Sequence, residues 1–166
     1  MQSLVALTAF YQQADLGMRD LPIYNAALQI EATQARSYGD DELAVVVTPW
    51  FMNLVIFSDD DTHCRQQGAK RTVELPSGRY EFTQCWEASV GGFATCALFS
   101  PVLEFESQQD VMAVANAALD AVFDTQYTET TEWQQARDAQ VKPAEPSKLD
   151  RRGFITAGLA KQQVTR

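Results

Sequence analysis

A chain of 166 residues, 46% hydrophobic and 21% charged, is long enough to bury one sizeable core and too short for two domains of ordinary size, so one folded body with a tail is expected. Its net charge of −9 is unevenly placed: Lys142, Lys148, Arg151, Arg152, Lys161 and Arg166 against Glu145 and Asp150 leave residues 142–166 at +4, and hence residues 1–141 at −13. A body so acidic repels nucleic acid and anionic lipid and attracts basic peptides.

The opening residues Met1-Gln2-Ser3-Leu4 carry no basic stretch followed by a long apolar core. No apolar run approaches the roughly 20 residues that span a bilayer, so a soluble cytoplasmic protein without a membrane span is expected. Residues 3–17 place Leu4, Val5, Leu7, Thr8, Tyr11 and Leu16 near helical spacing, with Ser3 able to cap the start and Gly17 able to end it. Asp20-Leu21-Pro22 breaks this helix. From Ala27 to Ala35, Leu28, Ile30 and Ala32 alternate with polar partners as in a half-buried strand, and Gly39-Asp40-Asp41 supplies a turn.

From Leu43 to Phe57 the chain is almost wholly apolar, interrupted only at Thr48-Pro49 and Asn53, which predicts a buried central strand broken by a bulge or tight turn at Pro49. Within it lies Pro49-Trp50-Phe51-Met52-Asn53-Leu54. These side chains read either as plain core or as an adaptable apolar surface for a peptide. A period of two puts Trp50 and Met52 on one face and Phe51 and Asn53 on the other.

After the acidic loop Ser58–Asp61 come strands over Lys70–Leu75, Arg79–Ser89 and Phe93–Ser100, joined by turns at Pro76-Ser77-Gly78 and Gly91-Gly92. Cys64, Cys85 and Cys96 form no C-x-x-C pair, and the single histidine, His63, adjoins Cys64. That pattern supports no tetrahedral metal site, and an odd count suits a reducing compartment. A scaffold that carries iron–sulfur or metal through Cys64, Cys85 and Cys96 is the alternative reading.

Glu81, Glu104 and Glu106 stand near strand ends without a nucleophile or activated histidine, which argues against hydrolysis and leaves them to be read either as solvated carboxylates or as guanidinium acceptors. Gln108–Tyr127 has Val111, Ala115, Ala118, Leu119, Val122 and Phe123 at helical spacing, and a more polar helix could continue over Thr130–Ala139. Pro143 and Pro146 then favour an extended linker. These elements predict an α+β fold: one domain over residues 1–140 with an antiparallel or mixed sheet, an N-terminal helix and a long C-terminal helix, and a flexible linker and basic tail over residues 141–166.

The tail holds Asp150-Arg151-Arg152-Gly153-Phe154-Ile155, a twin-arginine sequence of the kind that marks folded bacterial proteins for export, at the wrong end of the chain. Asp150 replaces the usual Ser or Thr, and the apolar stretch before Lys161 is short for a signal. Arg151, Arg152 and Phe154 therefore read either as a chance match or as a mimic of the signal, and a mimic points to a protein that binds such signals.

The segments Met18-Arg19-Asp20-Leu21-Pro22-Ile23-Tyr24-Asn25, Leu28-Gln29-Ile30-Glu31-Ala32, Val47-Thr48-Pro49-Trp50-Phe51-Met52-Asn53-Leu54, Pro76-Ser77-Gly78-Arg79-Tyr80-Glu81-Phe82 and Leu98-Phe99-Ser100-Pro101 together resemble the HybE/HupJ family of nickel–iron hydrogenase assembly chaperones. The resemblance covers about residues 10–125, with Thr-Pro-Trp-Phe-Met-Asn-Leu its most specific piece. It implies a non-enzymatic maturation factor without a cofactor of its own. Its partners would be the small subunit of the hydrogenase, through its twin-arginine signal, and further the large subunit and other maturation proteins. On this reading Trp50, Phe51, Met52, Asn53, Glu81, Glu104 and Glu106 are the candidate partner-binding residues. The tail would occupy the same place, in its own chain or in a second copy.

Overall fold

A computed structural model describes residues 2–58 and 67–126. The boundary expected at residue 140, the linker and the tail lie outside the described residues, as do His63 and Cys64. The described part is an α+β domain: helix α1 (Gln2–Met18), strands β1 (Glu31–Ala32), β2 (Arg36–Tyr38), β3 (Asp41–Val47), β4 (Met52–Ser58), β5 (Lys70–Leu75), β6 (Gly78–Glu87) and β7 (Gly91–Phe99), then helix α2 (Gln108–Phe123). Every strand pairing is antiparallel, in the order β1-β3-β4-β7-β6-β5, with β2 beside β1 on the outer edge of β3.

The tight turn expected at Pro49 is present and divides the apolar run over 43–57 into two neighbouring central strands. Thr48 causes the reversal: its N–H donates to Phe51 O at 2.8 Å, and its Oγ1 accepts from Phe51 N at 3.0 Å and Trp50 N at 3.3 Å. β3 and β4 then pair in register from Asp41↔Ser58 to Val47↔Met52. Both are buried on both faces, which is why they read as continuous apolar sequence.

Alternation sorts the side chains into two cores. Leu43, Val45, Val47, Met52, Leu54, Ile56, Val73, Leu75, Phe82 and Ala94 meet Val111, Ala115, Leu119 and Val122 of α2 on one face. On the other face Val46, Val55, Phe57 and Phe93 meet Leu7 of α1, flanked by Leu4, Phe10 and Tyr11. Ser107 caps α2 by accepting from Asp110 N at 3.2 Å and donating to its carboxylate at 2.6 Å.

The sheet curls around α2. Arg71 on β5 reaches Asp41 at the start of β3 at 3.6 Å, although three strands separate them in the sheet order. At the far end of α2, Arg36 of β2 lies over the Phe123 ring at 4.1 Å and bonds Asp120 at 2.8 Å, while Ser77 N from the β5–β6 turn donates to Val122 O at 3.2 Å.

The strand expected over Ala27–Ala35 shortens to Glu31–Ala32. Thr33 still exchanges bonds with Val45, whose N–H donates to Thr33 Oγ1 at 2.9 Å, and residues 25–29 are committed elsewhere. This detour brings the preceding turn to the end of the sheet.

Candidate functional site

Four segments converge where β3 turns into β4 and β7 leaves the sheet: the last turns of α1, residues 19–29, the turn 48–51, and residues 100–107. Asn25 joins three of them. Its N–H donates to Pro49 O at 2.7 Å, and its Nδ2 donates to Val102 O at 3.0 Å and Phe105 O at 2.8 Å. Its Oδ1 accepts from Ala27 N at 3.0 Å, closing a turn of its own. Phe105 also meets Phe99 of β7 edge to face at 5.4 Å. The fourth segment is tied by Tyr24, whose hydroxyl donates to Asp15 Oδ1 at 2.8 Å while Arg19 holds the other carboxylate oxygen at 2.6 Å. Arg19 lowers the Asp15 carboxyl below its ordinary range, and the Tyr24 bond adds to this.

An aromatic wedge fills the angle between these segments. Trp50 is 7% exposed and stacks on Tyr24 at 6.3 Å; Tyr11 of α1 meets Trp50 at 6.5 Å and Phe51 at 5.3 Å, both edge to face. Trp50 and Phe51 lie in the turn, 5.8 Å apart and perpendicular, so the period-two pairing of Trp50 with Met52 does not hold. Burial pushes the Tyr11 phenol up to about 12, with nearby Cys85 adding to the shift, so Tyr11 is a neutral wall of the wedge at physiological pH.

The candidate residues separate in space. Trp50 is the inner base of the wedge and Phe51 its half-buried face. Met52 is fully buried in the core under α2. Asn53 faces the α1 side opposite Val46, and its Oδ1 is buried without a partner, a cost of about 1–3 kcal/mol when nothing donates to it. Glu104 and Glu106 are exposed on the 100–107 segment, and among the described residues neither has an ion-pair partner. Glu81 lies apart, on β6 opposite Thr72, paired with Lys70 at 3.0 Å.

Residues that the sequence did not single out complete this end. Leu21 and Ile23 precede Asn25, and Leu103 stands beside Glu104; all three are exposed, Leu103 by 52%. Their apolar character between chain breakers was the available signal. Leu103 shares with Glu104 and Glu106 the segment that Asn25 holds, and Leu21 and Ile23 lie on the chain that leads into Asn25; such apolar and acidic side chains are chemically suited to a peptide that carries both guanidinium and aliphatic groups.

The two described cysteines do not converge. Cys85 projects to the α1 side and Cys96 to the α2 side, so the sheet keeps them from sharing an ion. Among the described residues no group of three His, Cys, Asp or Glu is placed to hold a metal, and no helix is long and apolar enough to cross a membrane. Burial pushes the Cys85 thiol up, against a smaller opposing effect of the Thr95 hydroxyl.

A curled antiparallel sheet between two helices, with an aromatic and acidic loop end, defines the class of α+β protein to which known chains can be compared. The chain belongs to the family described as NiFe-hydrogenase assembly, chaperone, HybE, whose model matches residues 2–157. It is 32% identical over 155 residues to the hydrogenase expression/formation protein HupJ of Bradyrhizobium diazoefficiens, covering 93% of this chain and 87% of that one. It is 32% identical over 160 residues to the hydrogenase expression/formation protein HupT of Azotobacter chroococcum, covering 96% and 97%. The solution structure of HybE from Escherichia coli shares the fold with a TM-score of 0.50 at 20% identity, over 58% of this chain and 60% of that one.

Proposed function

We propose that this protein is a cytoplasmic, non-enzymatic assembly chaperone that holds the twin-arginine signal of a nickel–iron hydrogenase small subunit until maturation is complete. The large subunit and other maturation proteins are further contacts. The observation that carries this reading is the placement of Glu104 and Glu106, exposed and without ion-pair partners among the described residues, on a segment that Asn25 fixes beside Leu21, Ile23 and the aromatic wedge. A twin-arginine signal presents two guanidinium groups followed by an apolar stretch. Carboxylates accept guanidinium in bidentate pairs, and aliphatic side chains pack on exposed Leu, Ile and Phe. The family membership supports a client within nickel–iron hydrogenase assembly, and the −13 body supports long-range attraction of a basic peptide.

The tail residues Arg151, Arg152 and Phe154 compete for this end. A linker of this length holds them near millimolar effective concentration, so weak docking suffices to occupy it, in the same chain or in a second copy.

Titration with a synthetic small-subunit signal peptide tests the reading. Glu104→Gln combined with Glu106→Gln is expected to weaken binding about tenfold at low salt, less at high salt, because exposed charges are screened. Both residues are exposed, so folding is unaffected. In the same titration Arg151→Ala with Arg152→Ala raises affinity by relieving the competition. Unchanged affinity in the double Gln variant would remove the acidic residues from the site.

A further inference from the structure

Glu31 stands between the two halves of this end of the molecule. In the ladder it lies opposite Val47, the residue before the turn that carries Trp50 and Phe51. Its Oε2 accepts from Gln108 Nε2 at 2.8 Å, and Gln108 follows Glu106 by two residues. One residue of β1 thus joins the aromatic turn to the acidic segment before α2.

Gln108 fixes that carboxylate. Its amide is engaged at both ends, because Oε1 accepts from Gln29 N at 2.8 Å while Nε2 donates to Glu31, and the reversed amide would set donor against donor and oxygen against carboxylate. Asn25 bonds Val102 O and Phe105 O, so the two amides hold the stretch with Glu104 and Glu106 from both sides. Glu31 itself is exposed, bonded to a neutral amide and, among the described residues, paired with no lysine or arginine. By contrast Asp15, Asp41, Glu74, Glu81 and Asp120 each hold one.

A carboxylate held in this way is suited to an incoming guanidinium. Gln108 takes one oxygen and leaves the other to accept, and a side chain oriented beforehand gives up little freedom on binding. We infer that Glu31 is a third guanidinium acceptor of the signal-binding end and that Gln108 is its positioning residue. This rests on the signal-binding function and adds to it a residue on the sheet itself, so that the two arginines of the signal divide between a carboxylate on β1 and those on the segment before α2.

Titration of the full chain with the small-subunit signal peptide at low salt separates the two roles. Glu31→Gln is expected to weaken binding about fivefold. Gln108→Leu, which keeps the Glu31 carboxylate but no longer holds it, is expected to weaken binding about threefold. The bonds of Gln108 lie at the surface, where water replaces them, so both variants fold. Combined in one chain the two are expected to cost about fivefold, not the roughly fifteenfold of independent losses, because Gln108 acts through Glu31. Replacing each arginine of the peptide in turn by citrulline, which keeps the shape and removes the charge, locates the contact. With one replacement Glu31→Gln has no further effect, and with the other it keeps its full effect. Unchanged affinity in Glu31→Gln, while Glu104→Gln with Glu106→Gln weakens binding, overturns the third acceptor and leaves the signal-binding function standing. Independent losses in the double variant overturn the positioning role of Gln108. A wild-type chain that does not bind the peptide overturns the signal-binding function and this inference together.

Discussion

Truncation of Trp50 to alanine is expected to cost about 3–5 kcal/mol of folding stability, a large share of the roughly 5–15 kcal/mol that a domain commonly has. The indole is 7% exposed and touches rings from three segments: Tyr11 on α1, Tyr24 in the turn after it, and Phe51 beside it. Its removal leaves a cavity lined by Tyr11, Tyr24 and Phe51 that closes only if these segments shift inward from their packed positions. Phe51, half-buried in the same turn, faces outward, so Phe51→Ala is expected to cost only about 1 kcal/mol. The two variants therefore divide the roles: Trp50→Ala lowers the urea midpoint steeply, whereas Phe51→Ala leaves a folded protein with weaker peptide binding. Urea titration measures the first and peptide titration the second. Equal stability losses would mean that the turn does not hold Trp50 inside and Phe51 out.

Asn25→Ala is the second large effect, about 2–3 kcal/mol, from a side chain that packs no apolar surface. It leaves Val102 O and Phe105 O without their donor and Ala27 N without its acceptor. Partly buried groups left without partners cost more than the bonds themselves contribute. Asn25→Asp separates hydrogen bonding from shape. It keeps an acceptor for Ala27 but sets a carboxylate oxygen against two carbonyl oxygens, so it is expected to be no better than Ala. Both variants loosen the segment that carries Leu103, Glu104 and Glu106, and both are expected to weaken peptide binding with every acidic residue intact. Amide hydrogen exchange at residues 102–106, faster in both variants, is the accompanying measurement.

Much of the fold was legible because its periodicities are strong. The apolar face of α2 and the strands β5 to β7 follow from spacing alone. The run 43–57 was legible as buried and interrupted at Pro49, but the choice between a bulge and a full reversal was not, since strands covered on both faces lose the alternation that would mark two strands, and the reversal is closed locally by the N–H and hydroxyl of Thr48. The strand expected over Ala27–Ala35 is shortened to Glu31–Ala32 for a tertiary reason: Asn25 and Gln29 spend hydrogen bonds on residues 102–108, far along the chain.

The candidate site shows the same division. Trp50 and Phe51 stood out as adjacent large aromatics, whereas Tyr11, Tyr24, Leu21 and Leu103 acquire their place only when the two ends of the sequence meet. Glu81, Glu104 and Glu106 looked alike as carboxylates near strand ends. The sheet order separates them, setting Glu81 on β6 with Lys70 and the other two on the segment that Asn25 holds.

The most direct test of the placement is a chemical-shift map of the ¹⁵N-labelled protein during titration with the signal peptide. Perturbations are expected at residues 16–25, 48–53 and 102–106, with Trp50 Nε1 among the largest, and little change at Lys70, Thr72 and Glu81. Shifts centred on β5 and β6, or saturation without change at Trp50, Leu103 and Glu104, would contradict it.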